Sequence, residues 1–356
     1  MKNQNPIFLG ETLQIYDSIN CHYPKIFELY KQQKAQDWDE TEFSFEQSKI
    51  DFQNCPEASS QVMLKTLMWQ WEADSRISRS LVVAFAPFIT NSEYSAAIMK
   101  QSEIEVLHAL TYSEIIRQCL GDPQQILQDV LDNPQIESRS GVIDKALEDL
   151  KRVGLEYQIH GEHLPKLVGD KNYIRKAILK GLFAVLALEG IEFIASFACT
   201  FALVKQDWFA GIGNAVQKIM LDEIIHTKID LEVLKETLKD EDWLEAFNEV
   251  KADVKDILDE VVHNEESWSE YIFSEGRAVL GLNTPLLKQW VYYNAYPLYQ
   301  LFDIDFDFTI QNSDPIPWMK SFIEIDKQQN ANQEQQNGGY LLNTVKNDVD
   351  KEPWII

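Results

Sequence analysis

The chain has 356 residues, 45% apolar and 25% charged, the balance of a soluble globular protein with a sizeable core. A formal charge of −25 argues against nucleic acid or an anionic membrane surface as partner, because either needs a basic face. Cys21, Cys55, Cys119 and Cys199 form no CxxC pair, and "MKNQNPIFLG" has no basic region followed by an apolar run, so a reduced, cytoplasmic setting is expected.

Helical periodicity dominates from about Glu57 onward. The first run, "SQVMLKTLMWQWEADSRISRSLVVAFAPF", is too long for a strand and sets Asp74 among apolar residues. The second, "SAAIMKQSEIEVLHALTYSEIIRQCL", carries Glu105 and His108 three apart with Tyr112 four further on. A helix projects all three from one face. On these residues alone Tyr112 is either an ordinary buried tyrosine or a phenol placed for oxidation. Glu103 and Glu114 do not share that face at ligand spacing.

Helix stops follow at "LGDPQQ" and "VGDKN". Between them "HGEHLPK" offers His160, Glu162 and His163, but in a polar connection without a paired partner, which reads as a solvated loop or helix end. The next run, "YIRKAILKGLFAVLALEGIEFIASFACTFALVK", contains a stretch from Gly181 to Val204 long enough to span a bilayer. Glu189 and Glu192 in its middle argue against that, because each would be costly in hydrocarbon. A helix apolar on nearly all sides is expected inside a large bundle, where its glutamates need partners.

The fourth run, "GNAVQKIMLDEIIHTKIDLEVLKETL", repeats the spacing with Glu223 and His226. Asp222, four before His226, competes with Glu223. The first copy decides for Glu223, since its carboxylate stands three before its histidine, and Asp222 is then an acceptor that orients a ligand histidine. Asp74 precedes Glu105 by 31 residues and Glu189 precedes Glu223 by 34, each interval fitting a helix, a connection and part of the next helix. The chain therefore reads as two helix pairs, each giving one lone carboxylate and one Glu-x-x-His.

Four carboxylates and two imidazoles are the inventory of a di-iron or di-manganese site in an all-α, ferritin-like bundle. Oxygen ligands suit hard iron and manganese ions, and imidazole suits iron. Four carboxylates against two divalent ions leave the site formally neutral, which explains Glu189 in so apolar a helix. The main domain is expected to run over residues 1–325, with an N-terminal extension, and residues 326–356 to form a flexible tail. The tail's "DKQQNANQEQQNGGY" cannot bury enough apolar surface to order itself, while "DVDKEPWII" brings back Trp354, Ile355 and Ile356, which reads either as a frayed terminus or as a tethered peptide that docks into a groove on another protein.

These residues together resemble the small (beta) subunit of class I ribonucleotide reductase. The likeness rests on Asp74, "EVLHALTY", "LEGIEFIASFACTFA" and "DEIIH", in the family's order and spacing, and covers most of residues 30–310. It implies metal ligands Asp74, Glu105, His108, Glu189, Glu223 and His226, two iron ions with Mn/Fe or two Mn as alternatives, and O2-dependent oxidation of Tyr112 to a tyrosyl radical. Phe193 and Phe197 match residues that shield such a radical. The resemblance further implies that the radical passes to a large (alpha) subunit through Trp38, in "AQDWDETEFSF", and Asp222, with Tyr340 as the tail's relay tyrosine and "DKEPWII" as the docking peptide. A homodimer is expected.

Two rivals stand beside this reading: a di-iron oxidase or hydroxylase acting on its own small substrate, and an iron-storage or structural bundle. Glu192 is a departure from the family's pattern, adding a carboxylate beside Glu189.

Overall fold

The computed structural model describes residues 5–311 and 313–323, so Tyr340 and the docking peptide lie outside the described residues. Among the described residues there is no strand; β-type pairing is limited to the isolated bridges Phe8 to Ile89 and Val279 to Leu282. The chain forms α1 (Pro24–Ala35), α2 (Glu46–Asn54), α3 (Glu57–Phe85), α4 (Ser92–Cys119), α5 (Pro123–Leu131), α6 (Pro134–His160), α7 (Leu164–Val168) and α8 (Tyr173–Ala187). A π segment (Leu188–Glu192) leads into α9 (Phe193–Val204), followed by α10 (Ala210–Thr237), α11 (Glu241–Ile272), α12 (Thr284–Leu301) and the short α13 (Lys320–Ile323).

Local chemistry sets the helix starts. The Asn91 side chain accepts from Tyr94 N–H to cap α4, and Asp240 caps α11 through Asp242 N–H. Asp122 and Asn133 cap α5 and α6, each followed by a proline whose missing N–H costs nothing there. The two short helices before Glu57 are too polar to show a clear apolar period, and α1 and α2 bury only a few residues each.

Four elements make the inner bundle: α3, α4, α10 and the α8–π–α9 rod. Helix α3 packs along α4 and α9, and α10 packs against α4, α8 and α9. Helices α6 and α11 cover the outer side of α8. Gly181 permits the α6–α8 approach, since a Cβ there would lie 2.7 Å from Leu150 Cδ2 and 3.2 Å from the Phe85 ring. The stretch from Tyr173 to Val204 is long and apolar enough to cross a membrane, but 94% of its apolar window is buried inside the bundle.

The sequence reads the α8–α9 run as one continuous helix, and the structure breaks it. Phe193 N–H bonds Leu188 C=O, five residues back, inserting one extra residue into the turn that carries Glu189 and Glu192. In a regular helix two residues three apart share a face. Here Glu189 joins the carboxylates of α4 and α10, while Glu192 sits with Arg139 and Glu265. The bulge assigns two buried glutamates to two different polar clusters.

Candidate metal centre

Six side chains from the four inner elements meet in the core. Ligand-type atoms of Asp74, Glu105, His108 and Glu223 all lie within 4.8 Å of one another, and so do those of Glu105, Glu189, Glu223 and His226. Glu105 and Glu223 belong to both groups, so they sit between two adjacent positions for an ion. All six side chains are fully buried. His108 Nδ1 lies 3.0 Å from Glu223 Oε1, 3.3 Å from Glu105 Oε2 and 3.9 Å from Asp74 Oδ2. His226 Nδ1 lies 2.8 Å from Glu223 Oε2 and 3.0 Å from Glu105 Oε1.

The charge balance tests whether cations fit. Both Asp74 oxygens and Glu189 Oε2 lack a hydrogen-bond donor among the described residues, although buried polar atoms are nearly always paired. Burial drives the Asp74 carboxyl well above the ordinary range, and Glu105 adds to the rise; burial does the same to Glu189, helped by Glu223 and Glu105. Burial also works to raise Glu223, but His108 and His226 outweigh it and hold that carboxyl well below its usual range. Burial opposes charge on His226, yet Glu105 and Glu223 push its imidazolium up to about 10. His108 is likewise raised, chiefly by Glu223 against burial. These shifts all run in the direction that offsets a surplus of buried negative charge, the task two divalent cations would perform. The donor set fits such a pair.

Asp222 supports one histidine from behind. Its Oδ2 accepts from Trp38 Nε1–H at 2.7 Å and lies 3.2 Å from His108 Nε2. With Nε2 turned to the Asp222 carboxylate, Nδ1 of His108 faces Asp74, Glu105 and Glu223. The Trp38 and His108 rings also stack, with centroids 5.9 Å apart and planes 19° from parallel. Tyr112, one turn beyond His108, is fully buried, and its hydroxyl has no partner among the described residues. Burial keeps its phenol well above the ordinary range, reinforced by Asp74, Glu223 and Glu105. It is therefore a neutral phenol beside the carboxylates.

Sequence reasoning passed over three features. Gln101, four before Glu105 and so on the same helical face, donates from Nε2 to Glu189 Oε1 at 3.2 Å. Asp230, one turn after His226, is buried, and its Oδ2 has no hydrogen-bond partner among the described residues. Arg139 reaches Glu265 and the Glu192 carbonyl, a grouping that spans 126 residues of sequence and had no local signal. His160, Glu162 and His163 lie exposed at the end of α6, away from this core.

A family model described as the small chain of ribonucleotide reductase matches residues 16–315, most of the chain. The chain belongs to this family. The beta subunit of ribonucleoside-diphosphate reductase 1 from Salmonella typhimurium is 28% identical over 357 residues, covering 98% of this chain and 94% of that protein. The corresponding Haemophilus influenzae subunit is also 28% identical, over 355 residues, with the same coverage. Among solved structures, a ribonucleotide reductase subunit from Clostridium botulinum shares the fold with a TM-score of 0.76, 19% identity and coverage of 90% of this chain and 95% of its own. The dimanganese(II) NrdF of Streptococcus sanguinis gives a TM-score of 0.68 at 18% identity, over 87% of this chain and 99% of its own. The all-α, ferritin-like expectation is thus met. The chain is a small subunit of a ribonucleotide-reducing oxidoreductase, and the rival of a di-metal enzyme working alone is not favoured.

Proposed function

We propose that this small subunit stores one oxidising equivalent on Tyr112 and delivers it through Trp38 to a large subunit that reduces ribonucleotides. The observation that carries the reading is the continuous path from the carboxylate cluster through His108 and Asp222 to Trp38. Asp74, Glu105, His108, Glu189, Glu223 and His226 would hold two metal ions, with Glu105 and Glu223 shared between them. When bound and reduced, a pair of iron or manganese ions supplies the O2-dependent oxidising power. The residues do the rest. Asp222 fixes the His108 tautomer, Gln101 steadies one oxygen of Glu189, and the dry surroundings of Tyr112 keep water away from its phenol.

An oxidase acting on its own substrate gives no role to a tryptophan hydrogen-bonded behind a ligand histidine. The storage reading leaves Tyr112 without a purpose. The apolar tip after residue 326 docks on the large subunit, with Tyr340 continuing the relay, and residues 1–325 are the di-metal domain. A second copy of the chain covers the exposed apolar stripe of Met99, Val106 and Leu110 on α4, beside the exposed Tyr16 that reaches Met99 Sδ. The four cysteines are free thiols, which supports a cytoplasmic setting.

Sedimentation and turnover, measured with and without the large subunit, test this for the full chain and for a chain ended after Ile325. Both forms should sediment as dimers, and only the full chain should join the large subunit and support reduction. Full activity of the shortened chain would refute docking through the tail, and a monomeric full chain would refute the dimer.

A further inference from the structure

A second line of aromatic rings begins on α3, the helix that carries Asp74. Trp69 lies on α3 five residues before Asp74, about 7.5 Å along the helix axis. Its ring centroid is 5.2 Å from that of Phe193, the residue that closes the π bulge after Glu189 and Glu192. Trp69 is 6.4 Å from Trp268, and Trp268 is 5.3 Å from Tyr271. Both indoles are buried and Tyr271 is half-buried, so the line runs from the core to the surface. Neither indole N–H has a hydrogen-bond partner among the described residues.

Arg139 lies over both indoles. Its guanidinium carbon is 3.5 Å from the Trp69 ring centroid and 4.5 Å from that of Trp268. The group is clamped by Glu265, by Ser196 Oγ at 2.9 Å and by the Glu192 carbonyl at 2.8 Å, and it is almost wholly buried. A cation over a neutral ring is attracted to its π face. Once that ring loses an electron the contact becomes repulsive, so Arg139 makes both indoles harder to oxidise. Glu265 offsets part of this field without removing the contact.

We propose that Trp69, Trp268 and Tyr271 form a second exit for an oxidising equivalent, held in reserve by Arg139 and used when Tyr112 cannot be oxidised. The inference rests on the O2-reactive metal pair proposed above as the oxidant. Trp69 gives one electron to the O2-oxidised metal pair and becomes a radical cation. It is refilled by one electron from Trp268, and Trp268 by one electron from Tyr271. The Tyr271 phenol then releases its proton to bulk water, leaving a neutral tyrosyl radical at the surface. The surplus oxidising power ends on a half-buried ring instead of on the ligands.

The test uses the full chain, reduced, loaded with Fe(II) and exposed to O2, with rapid-freeze electron paramagnetic resonance and peptide mass spectrometry as readouts. Tyr112→Phe should give a transient indole signal and oxidised Tyr271 or Trp268. Adding Trp69→Phe should remove both, and adding Tyr271→Phe should confine oxidation to the indoles. Trp69→Phe alone should leave the Tyr112 signal intact. Oxidation at Tyr271 that is unchanged by Trp69→Phe, or that is found only at Trp38, overturns the route. If the parent gives no Tyr112 signal, the radical reading fails, and the metal-free chain decides the route. In that arm ultraviolet photoionisation of the buried indoles should oxidise Tyr271 in the parent and not in Trp268→Phe. Equal oxidation of Tyr271 in both overturns the route.

Discussion

Glu223→Ala should strip both metal positions at once. Glu223 is shared by the two ligand groups, and its two oxygens lie 3.0 Å from His108 Nδ1 and 2.8 Å from His226 Nδ1. Removing it deletes one donor from each position and withdraws the anion that holds both imidazoles in place. Asp74→Ala, by contrast, removes a donor from one group only. Metal analysis after loading with Fe(II) or Mn(II) should therefore find about two ions per chain in the parent, about one in Asp74→Ala and essentially none in Glu223→Ala. A metal held by the folded chain alone, at a hundredfold excess over its dissociation constant, adds about 2.7 kcal/mol per site. Loading should raise Tm in the parent and leave Glu223→Ala where it was. Full metal content in Glu223→Ala would contradict the shared position.

Trp38→Phe should separate the two halves of the function. The substitution keeps an aromatic ring over His108 but removes the indole N–H that Asp222 Oδ2 accepts at 2.7 Å. Asp222 retains its contact with His108, so the ligand histidine stays oriented and the metal content should match the parent. The Tyr112 radical should form to a similar yield, because Tyr112 lies on the cluster side of His108, whereas Trp38 lies behind it. Turnover with the large subunit should fall by about 10³-fold or more, equivalent to about 4 kcal/mol, since phenylalanine is far harder to oxidise than tryptophan. Turnover within a few fold of the parent would remove Trp38 from the relay.

What could be read in the sequence follows from the range of each signal. The two Glu-x-x-His copies are local, and helical geometry alone brings each pair to one face, so the structure finds Glu105 beside His108 and Glu223 beside His226. Asp74 and Glu189 were legible because an ionisable group in an apolar helix needs a partner. The π bulge was not legible, since "LALEGIEF" has the composition of an ordinary core helix and the extra residue shows only in the backbone hydrogen bonding. For the same reason Glu192 looked like an addition to the metal site, and the structure turns it toward Arg139 and Glu265 instead. Those partners lie 53 and 73 residues away in sequence, beyond any periodicity. Gln101 shares the face of Glu105 and could have been found by extending the same spacing one turn back.

The most direct test of the account is electron paramagnetic resonance of the chain loaded anaerobically with Fe(II), exposed to O2 and compared with Tyr112→Phe, with Mn(II) as a parallel loading. A tyrosyl signal is expected in the parent and none in the variant at equal metal content. A parent that binds its metals and consumes O2 without a tyrosyl signal under either loading, or a signal that survives Tyr112→Phe, would contradict it.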